Sequence, residues 1–337
     1  MITIVDIAKE SGYSVSTVSR VLNNKTDVSP IAKQKIMEIV EAHHFVPNNN
    51  AKHLKQGVTK NILVLVKGTS NMLFASIIEE MQTIIADTAY SLRVYYLDED
   101  RNEVEEAVRL CRERKPLGVM FLGGNPQYFE ADFSGVTVPS VLVTNQGDML
   151  GFDNLASIAT DDVAAAEEAV DYLLDHGHRN VAVIGGDRFV SRTAKQRFMG
   201  CQRSFQKHGL EFDTENYYEP GRFSFDSAYR AMTRLLEKKL PITAVFAMAD
   251  TMAVGAIRAI RDYGLRVPED ISVMGFDGIS LAEYYNPKIA TIRQGYKEMA
   301  NKSIEVLFGM LDFNRPASHV IVPFELCKGE SVKKIDE

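Results

Sequence analysis

From residue 60 onward, short apolar runs alternate with longer amphipathic segments, and this alternation limits the fold more than any other feature. A buried strand followed by an amphipathic helix is the repeat of a parallel sheet covered by helices. The predicted strands are Ile62–Val66, Arg93–Leu97, Gly118–Leu122, Ser140–Val143, Val181–Ile184, Ala244–Ala247 and Ser272–Gly275. The predicted helices are 74–89, 103–114, 162–176, 193–208, 225–239, 251–263 and 296–311. Because the two halves repeat one pattern, we expect two similar α/β lobes.

Composition narrows the class of protein further. The 337 residues are 45% apolar and 25% charged, the balance of a globular protein with two or three domains. No apolar run approaches the ~20 residues of a membrane helix, and the first residues lack the pattern of a signal peptide. The three cysteines, Cys111, Cys201 and Cys327, lie far apart, which argues against a disulfide framework. We therefore expect a cytoplasmic protein.

Charge is distributed unevenly along the chain. Residues 1–60 contain eight basic and five acidic residues, whereas the whole chain has a net charge of −7. The first 60 residues are thus net +3 and the remainder is net −10. A small basic segment ahead of a large acidic one indicates that the first segment meets a polyanion and the second does not.

The basic segment contains the signals for three short helices. Thr3 and Asp6 have the spacing of a capping box at the start of the first helix. Ser14 can cap the second helix. Ser29-Pro30 begins the third, with proline at the first helical position, where its missing N–H costs nothing.

The first two helices have the spacing of a helix-turn-helix. Ala8 is small where the second helix crosses the first, Gly12 permits the tight turn, and Val18 and Val21 pack the second helix down. This arrangement leaves an outer face for the major groove of DNA, made of Val15, Ser16, Thr17, Ser19 and Arg20. A three-helix domain with a solvated polar face fits the same spacing.

The outer face has suitable chemistry for reading DNA. Arg20 can donate two hydrogen bonds to guanine, and Val15 can contact a thymine methyl group. Ser16 can donate or accept a hydrogen bond, while Thr17 and Ser29 suit phosphate groups.

The segment that follows resembles the hinge of the lactose/galactose repressor (LacI/GalR) family. It reads F-V-P-N-N-N-A-K-H-L-K-Q-G over residues 45–57, against the family pattern Y-x-P-N-x-x-A-x-x-L, with Phe45 in place of tyrosine. The preceding T-x-x-D-I-A, G-x-S-x-x-T-V-S-R-V-L-N and V-S-x-x-x-x-x-K-I motifs are also similar to the family. The resemblance extends over the whole chain.

This resemblance implies an operator-binding unit. Residues 1–46 would form the helix-turn-helix domain, called the head, and residues 47–59 a hinge helix and linker. Leu54 would wedge into a base step in the minor groove, and Ala51 would lie where two hinge helices cross. The predicted DNA-contacting residues are Thr3, Val15, Ser16, Thr17, Arg20, Asn23, Ser29, Asn48, Ala51 and Leu54.

The remainder, residues 60–337, is called the body. Its G-H-R-N-V-A-V-I-G-G run (177–186), its V-P-E-D-I-S-V-M-G-F-D run (267–277) and its closing E-L-C-K-G-E-S run resemble family landmarks. They imply an α/β periplasmic-binding-protein-like body of two doubly wound lobes behind an all-α helix-turn-helix head. The first lobe would take about 60–159 and 292–321, and the second about 160–291 and 322–337.

A ligand cleft is expected at the carboxyl ends of the strands. The residues that match the family's ligand positions are Asn71, Phe74, Asn145, Thr193, Arg197, Phe223, Asp250 and Gln294. Asp250 and Arg197 can bond vicinal hydroxyls, and the two phenylalanines offer flat faces to a sugar ring or a base. Alternatively, Asp250 caps its helix, Arg197 pairs with a helix carboxylate, and the phenylalanines belong to the core.

These features predict a transcription regulator, specifically a repressor of carbohydrate-use genes that a small sugar releases from a pseudo-palindromic operator. The alternative is a regulator that needs a purine or another metabolite as corepressor. We expect a cytoplasmic, nucleoid-associated protein. Because the chain lacks a leucine heptad after residue 330, which forms the tetramer in the lactose repressor, we expect a homodimer. No cofactor or catalytic residue is predicted. No metal ligand is predicted either, since His176-Gly177-His178 has no partner at ligand spacing.

Overall fold

The computed structural model describes residues 3–22, 28–43, 60–68 and 71–335. The chain divides into two compact units, Met1–Thr59 and Lys60–Glu337, which are described separately. Four residues of the predicted DNA-contacting set lie outside the described residues: Asn23, Asn48, Ala51 and Leu54. Within the described ranges, no helix has both the length and the apolar character needed to cross a membrane.

The first unit contains three helices, α1 (Ile4–Ser11), α2 (Val15–Leu22) and α3 (Pro30–Ala42). Thr3 and Asp6 form the predicted capping box, in which the Asp6 N–H donates to Thr3 Oγ1 and the Thr3 N–H donates to Asp6 Oδ2. Gly12 ends α1 in the left-handed region, at φ 77°, which a glycine adopts without strain. The small core contains Ile7, Ala8, Val18, Val21 and Ile36.

The second unit contains two six-stranded sheets. The first sheet comprises β1 (Lys60–Lys67), β2 (Tyr90–Leu97), β3 (Gly118–Leu122), β4 (Ser140–Val143), β5 (Leu155–Ala159) and β11 (His319–Ile321). The helices between these strands are α4 (Met72–Ile85), α5 (Glu103–Arg114) and α6 (Pro126–Asp132), and α13 (Tyr296–Phe313) packs against α4, β4 and β5. We call this part of the body the first lobe.

The second sheet comprises β6 (Val181–Gly185), β7 (Tyr218–Pro220), β8 (Ala244–Ala247), β9 (Ser272–Asp277), β10 (Ala290–Gln294) and β12 (Phe324–Cys327). Its helices are α7 (Asp162–Asp175), α8 (Arg192–Lys207), α9 (Thr214–Tyr217), α10 (Phe225–Glu237), α11 (Asp250–Asp262) and α12 (Ser280–Tyr284). We call this part the second lobe. β10 pairs with β9 up to Arg293 and with β12 up to Gln294, so the crossing to the first lobe follows Gln294.

The two sheets share one strand order. The first is β11-β5-β4-β3-β1-β2 and the second is β12-β10-β9-β8-β6-β7. The first five strands of each lobe are parallel, and the order reverses beside β1 and beside β6. In such a sheet, loops that bind ligands collect at the carboxyl ends of the strands around the reversal.

The seven predicted strands are all present, and five further strands were not predicted. The missed strands are β5, β7, β10, β11 and β12. β5 reads L-A-S-I-A and β10 reads A-T-I-R-Q, so small and polar residues interrupt the apolar run. β7 and β11 have only three residues each, too few to show a period.

Candidate ligand cleft and recognition helix

A cleft of about 370 Å³ lies between the carboxyl ends of the two sheets. Its lining comes from the segments after β1, β2, β3 and β4 in the first lobe, and from the segments after β6 and β7 and the ends of β9 and β10 in the second. Seven of the eight predicted ligand residues line it: Asn71, Phe74, Asn145, Thr193, Arg197, Phe223 and Gln294.

Arg197 forms the centre of the cleft floor. Its side chain projects from α8 and is only 4% exposed. Its Nε donates to Asp162 Oδ1 at 2.7 Å, one terminal nitrogen donates to the Met248 carbonyl, and the guanidinium carbon lies 3.6 Å from the centre of the Phe276 ring. The helix carboxylate considered as an alternative partner is therefore present, and Arg197 also lines the cleft.

Asp277 supplies the carboxylate beside Arg197. It ends β9 with φ 109°, in the positive-φ region that few residues other than glycine adopt. Its Oδ1 accepts from Gln294 Nε2 at 2.7 Å and lies 3.9 Å from an Arg197 nitrogen. Burial raises the pKa of Asp277 to about 6, and the Arg197 charge opposes that rise. Burial also raises the pKa of Asp162, again against Arg197.

Two hydrogen bonds join α8 of the second lobe to the loop after β4 of the first lobe. Thr193 Oγ1 donates to Asn145 Oδ1 at 2.8 Å, and Gln196 Nε2 donates to Gln146 Oε1 at 3.3 Å. Within the first lobe, Asn145 Nδ2 donates to the Gly124 carbonyl at 3.3 Å. Gln294, at the end of β10, accepts from Thr160 Oγ1 at 3.0 Å. Predicted residues of the two lobes, Asn145 and Thr193, are thus hydrogen-bonded to each other across the cleft.

Two aromatic rings flank this surface, one from each lobe. Phe74 lies on α4 against Gly123, where an added Cβ would lie 3.1 Å from the ring. Phe223 lies in the loop after β7 against Gly186, where a Cβ would lie 2.8 Å from the ring. The glycines at these strand ends therefore make room for the rings.

The first-lobe wall has its own charged group. Lys67 pairs with Glu103 and donates to the Arg101 carbonyl at 3.0 Å, and its ammonium lies 4.7 Å from the centre of the Tyr128 ring. Nearby, Asn71 caps α4, because its Oδ1 accepts from the Leu73 N–H at 3.0 Å.

An ion pair joins the lobes at the mouth of the cleft. Arg222, after β7, pairs with Asp100 and lies 3.5 Å from Asp98, both in the loop after β2. Glu99 lines the cleft between these two aspartates. Burial raises the pKa of Glu99, and the Arg222 charge opposes that rise.

Asp250 does not line the cleft, so its predicted ligand role is corrected. Its side chain is fully buried under β9 against Gly275, whose lack of a side chain leaves room for it. Its Oδ1 accepts from Thr291 Oγ1 at 2.6 Å and its Oδ2 accepts from the Ile279 N–H at 2.9 Å. Burial, with the nearby Asp277 charge, raises its pKa well above the usual range. It makes no side-chain cap of its own helix, so the capping alternative is also wrong.

Sequence reasoning missed Asp277, Lys67 and Tyr128. Asp277 had a recognisable signal, since it lies two residues after the predicted strand Ser272–Gly275. Lys67 had the same signal, since it directly follows the predicted strand Ile62–Val66. Tyr128 had none, because only the folded chain brings its helix to the cleft.

The His176-Gly177-His178 segment anchors the end of the chain. His178 is fully buried, with one ring nitrogen 3.1 Å from Thr243 Oγ1 and the other 3.1 Å from the Lys333 carbonyl. Burial lowers the pKa of His178 to about 4. The ring is therefore neutral at pH 7, and its nitrogens bond protein groups.

The second helix of the head presents the predicted outer face. Val18 and Val21 are buried, whereas Val15, Ser16 and Arg20 are exposed. Ser14 caps α2, because its Oγ accepts from the Thr17 N–H at 3.2 Å and lies 2.9 Å from Thr17 Oγ1. Ser29, the other hydroxyl predicted to suit phosphate, caps α3, and Thr3 of the predicted DNA-contacting set caps α1.

Comparison with known proteins agrees with this arrangement. Residues 3–48 match the family described as bacterial regulatory proteins, lacI family, and residues 170–332 match a periplasmic binding protein-like domain. The HTH-type transcriptional regulator MalR of Clostridium butyricum is 37% identical over 97% of this chain and 98% of its own length.

Solved structures show the same fold. The lac repressor dimer bound to operator and the anti-inducer ONPF has a TM-score of 0.74 at 22% identity, covering 98% of this chain and 99% of that one. The regulator CelR in complex with cellobiose has a TM-score of 0.70 at 24% identity, covering 98% of this chain and 100% of that one. The all-α head and the two-lobed α/β body are therefore as predicted, and the chain belongs to the lacI family of bacterial transcription regulators.

Proposed function

We propose that this regulator represses carbohydrate-use genes and that a small sugar, bound in the cleft, releases it from its operator. The cleft floor carries this proposal: the Arg197 guanidinium and the Asp277 carboxylate lie side by side in a cleft that Phe74 and Phe223 also line. Such a pair donates to one hydroxyl of a sugar and accepts from the next, while the rings cover the apolar faces of the sugar ring. The cellobiose bound to CelR supports the same ligand class.

The cleft is suited to a switch because its polar groups come from both lobes. A ligand that bonds Asn145 in the first lobe and Arg197 in the second favours one relative position of the lobes. The free energy that couples effector binding to DNA binding is then reciprocal, so operator DNA weakens effector binding by the same factor. In this proposal residues 1–46 read the operator, residues 47–59 form the hinge, and the two lobes of the body take the effector.

We also propose that the protein acts as a homodimer on a pseudo-palindromic operator, in the cytoplasm and on the nucleoid, and without catalytic activity. The lac repressor structure that shares this fold is a dimer bound to its operator. A dimer places two copies of α2 one DNA turn apart, which fits two half-sites of a palindrome. Leu54 of each copy would then reach the centre of the site.

Binding-site selection from random DNA at a stated salt concentration tests the proposal. We expect one palindromic site, released when the correct sugar is added. Arg20→Ala should lose roughly 1–3 kcal/mol of binding free energy and relax the base preference at one position of each half-site. Lys35→Ala removes an exposed charge from α3 and serves as the matched control, which should keep the base preference.

The outcomes separate the two candidate effector classes. A site that binds only when a purine is added contradicts the sugar-released mechanism and supports the corepressor alternative. Unchanged base preference in Arg20→Ala contradicts the assignment of α2 as the reading helix.

A further inference from the structure

The cationic side chains that line the cleft are already paired with carboxylates of the protein. Three such cations line it, one in the first lobe and two in the second. Their partners are Glu103 for Lys67, Asp100 for Arg222 and Asp162 for Arg197. Lys67 directs its remaining contacts to the Arg101 carbonyl and the Tyr128 ring. Little positive charge is left to balance a negative ligand.

Carboxylate oxygens, in contrast, remain open toward the cleft. Asp277 uses Oδ1 to accept from Gln294, and its Oδ2 makes no hydrogen bond within the described part of the chain. Glu99 makes neither a hydrogen bond nor an ion pair with any described residue, although it is partly buried. Asp187 lines the second-lobe side and uses one oxygen to accept from the Phe189 N–H.

The ligand that fits this surface must supply hydrogen-bond donors. A hydroxyl group can donate to an open carboxylate and accept from Arg197, whereas a phosphate dianion or a carboxylate can only accept. An anion would also lie close to the open carboxylates, and the cations of the cleft are already paired. Like charges at close range in a partly buried site repel strongly.

We propose that the cleft selects an uncharged polyhydroxylated ligand, a neutral sugar, and excludes the phosphorylated or carboxylated form of the same sugar. This selection rests on the proposed function, which makes the cleft an effector site. The effector is then a sugar whose groups facing Glu99 and Asp277 are hydroxyls, not phosphate or carboxylate groups. Glu99 and Asp277 are then specificity-determining residues, because each repels an anionic group on its own side of the cleft.

The first experiment uses isothermal titration calorimetry of the full chain with matched probes at equal ionic strength. The pairs are glucose with glucose 6-phosphate and with glucuronate, and maltose with maltose 6′-phosphate. We expect any measurable binding to come from the neutral member, and the anionic member to bind at least about tenfold more weakly. An anionic probe that binds as tightly as its neutral partner overturns the proposal.

A second experiment decides the question even if none of these sugars is the effector. Glu99→Lys reverses one charge at the cleft, and Glu130→Lys reverses one exposed charge on α6 outside it. The thermal unfolding of each variant is measured by calorimetry at increasing concentrations of inorganic phosphate. Sodium chloride at equal ionic strength serves as the reference. Because both variants carry the same head, any phosphate bound there cancels in the comparison.

We expect Glu99→Lys to bind phosphate roughly tenfold more tightly than Glu130→Lys does, because the reversed charge replaces an anion of the cleft with a cation. Equal phosphate binding by the two variants would show that the carboxylates of the cleft do not govern its ligand charge, and would overturn the proposal. Failure of every sugar to release DNA would instead count against the proposed function, which this phosphate comparison does not involve.

Discussion

The two lobes of the body share one strand order and differ in the walls that they contribute to the cleft. The second lobe presents Arg197, Asp277 and Gln294, which are at most 6% exposed and hydrogen-bonded to one another or to the backbone beneath them. Its charged counterpart in the first lobe is Lys67 beside Tyr128, and both side chains are partly exposed. One scaffold thus carries a buried charged floor on one side of the cleft and a partly exposed charged wall on the other.

The apolar cores behind the two walls also differ. In the second lobe one continuous apolar cluster runs through the sheet and its helices, whereas in the first lobe the core divides into two clusters, one on each face of the sheet. The edge strands differ as well, since β11 runs parallel to β5 and β12 runs antiparallel to β10. A shared topology therefore fixes where the loops meet, while side chains decide how firmly each wall is held.

The largest expected effect comes from removing the centre of the buried floor. Arg197→Met leaves Asp162 and Asp277 buried without their cation, and breaking a buried ion pair in this way costs about 3–5 kcal/mol. Urea unfolding measures this free energy. The counterpart is Lys67→Met, which leaves Glu103 at the first turn of α5, where the Asn125 N–H and the helix dipole still stabilise it. We expect Lys67→Met to lose roughly half as much free energy of unfolding as Arg197→Met. Equal losses in the two variants would contradict the difference between the two walls.

Acid should destabilise the second lobe through His178. The pKa of His178 is about 4 in the folded protein, below the ordinary value of 6.5. The unfolded chain therefore binds the proton first, and stability is lost as the pH falls through 6.5 toward 4. The loss is at most about 3 kcal/mol. Denaturant unfolding at pH 7.5 and pH 5 measures it, and His178→Gln should flatten the difference.

His319→Gln removes a histidine from the first lobe and is the matched control. Its ring nitrogen lies 2.8 Å from Ser157 Oγ, at the edge strand of the first sheet. If His319→Gln flattens the pH dependence as much as His178→Gln, the acid sensitivity does not belong to the second lobe.

The sequence predicts the two-lobed fold because local signals and topology agree. Buried strands such as Val181–Ile184 and caps such as Thr3 with Asp6 appear as plain patterns within a few residues. The five missed strands are short or rich in small and polar residues, and they become strands only because a neighbouring strand pairs with them.

The candidate site is only partly visible in the sequence for a related reason. Motif positions bring Arg197 and Gln294 to the cleft, but the direction in which a side chain points depends on packing. Asp250 and Asp277 illustrate this, since the carboxylate at the start of α11 turns under the sheet toward Gly275, whereas the one that ends β9 opens to the cleft.

The Asp277 carboxylate itself should control effector binding. Asp277→Asn removes the charge with little change in shape, and asparagine tolerates the positive φ of this position better than most residues. Loss of a hydrogen bond to a charged group should weaken effector binding by about 1.5–3 kcal/mol. Calorimetric titration with the tightest-binding sugar measures this, and the free energy of unfolding serves as a control for folding.

The pH dependence of the same binding tests whether the charged form is the acceptor. Because the pKa of Asp277 is about 6, effector affinity should fall between pH 7 and pH 5 in the natural chain and should fall less in Asp277→Asn, where Glu99 remains as a cleft carboxylate with a raised pKa. Arg197, Asp162 and the buried Asp250 face or adjoin this carboxyl and are unchanged in the variant. An unaltered pH dependence would place the titrating group elsewhere.

The smallest effect is expected at the mouth, where the two walls meet. Arg222 and its partners Asp98 and Asp100 are each more than half exposed, so water and salt screen their attraction. Arg222→Gln should therefore change effector affinity by less than about 1 kcal/mol and should reduce its salt dependence. Arg109→Gln is the control, because its pairs with Glu106 and Glu113 lie within α5 alone. If Arg222→Gln weakened binding as strongly as Asp277→Asn, the exposed pair between the lobes would hold the closed cleft, and the exposed wall would contribute as much as the buried floor.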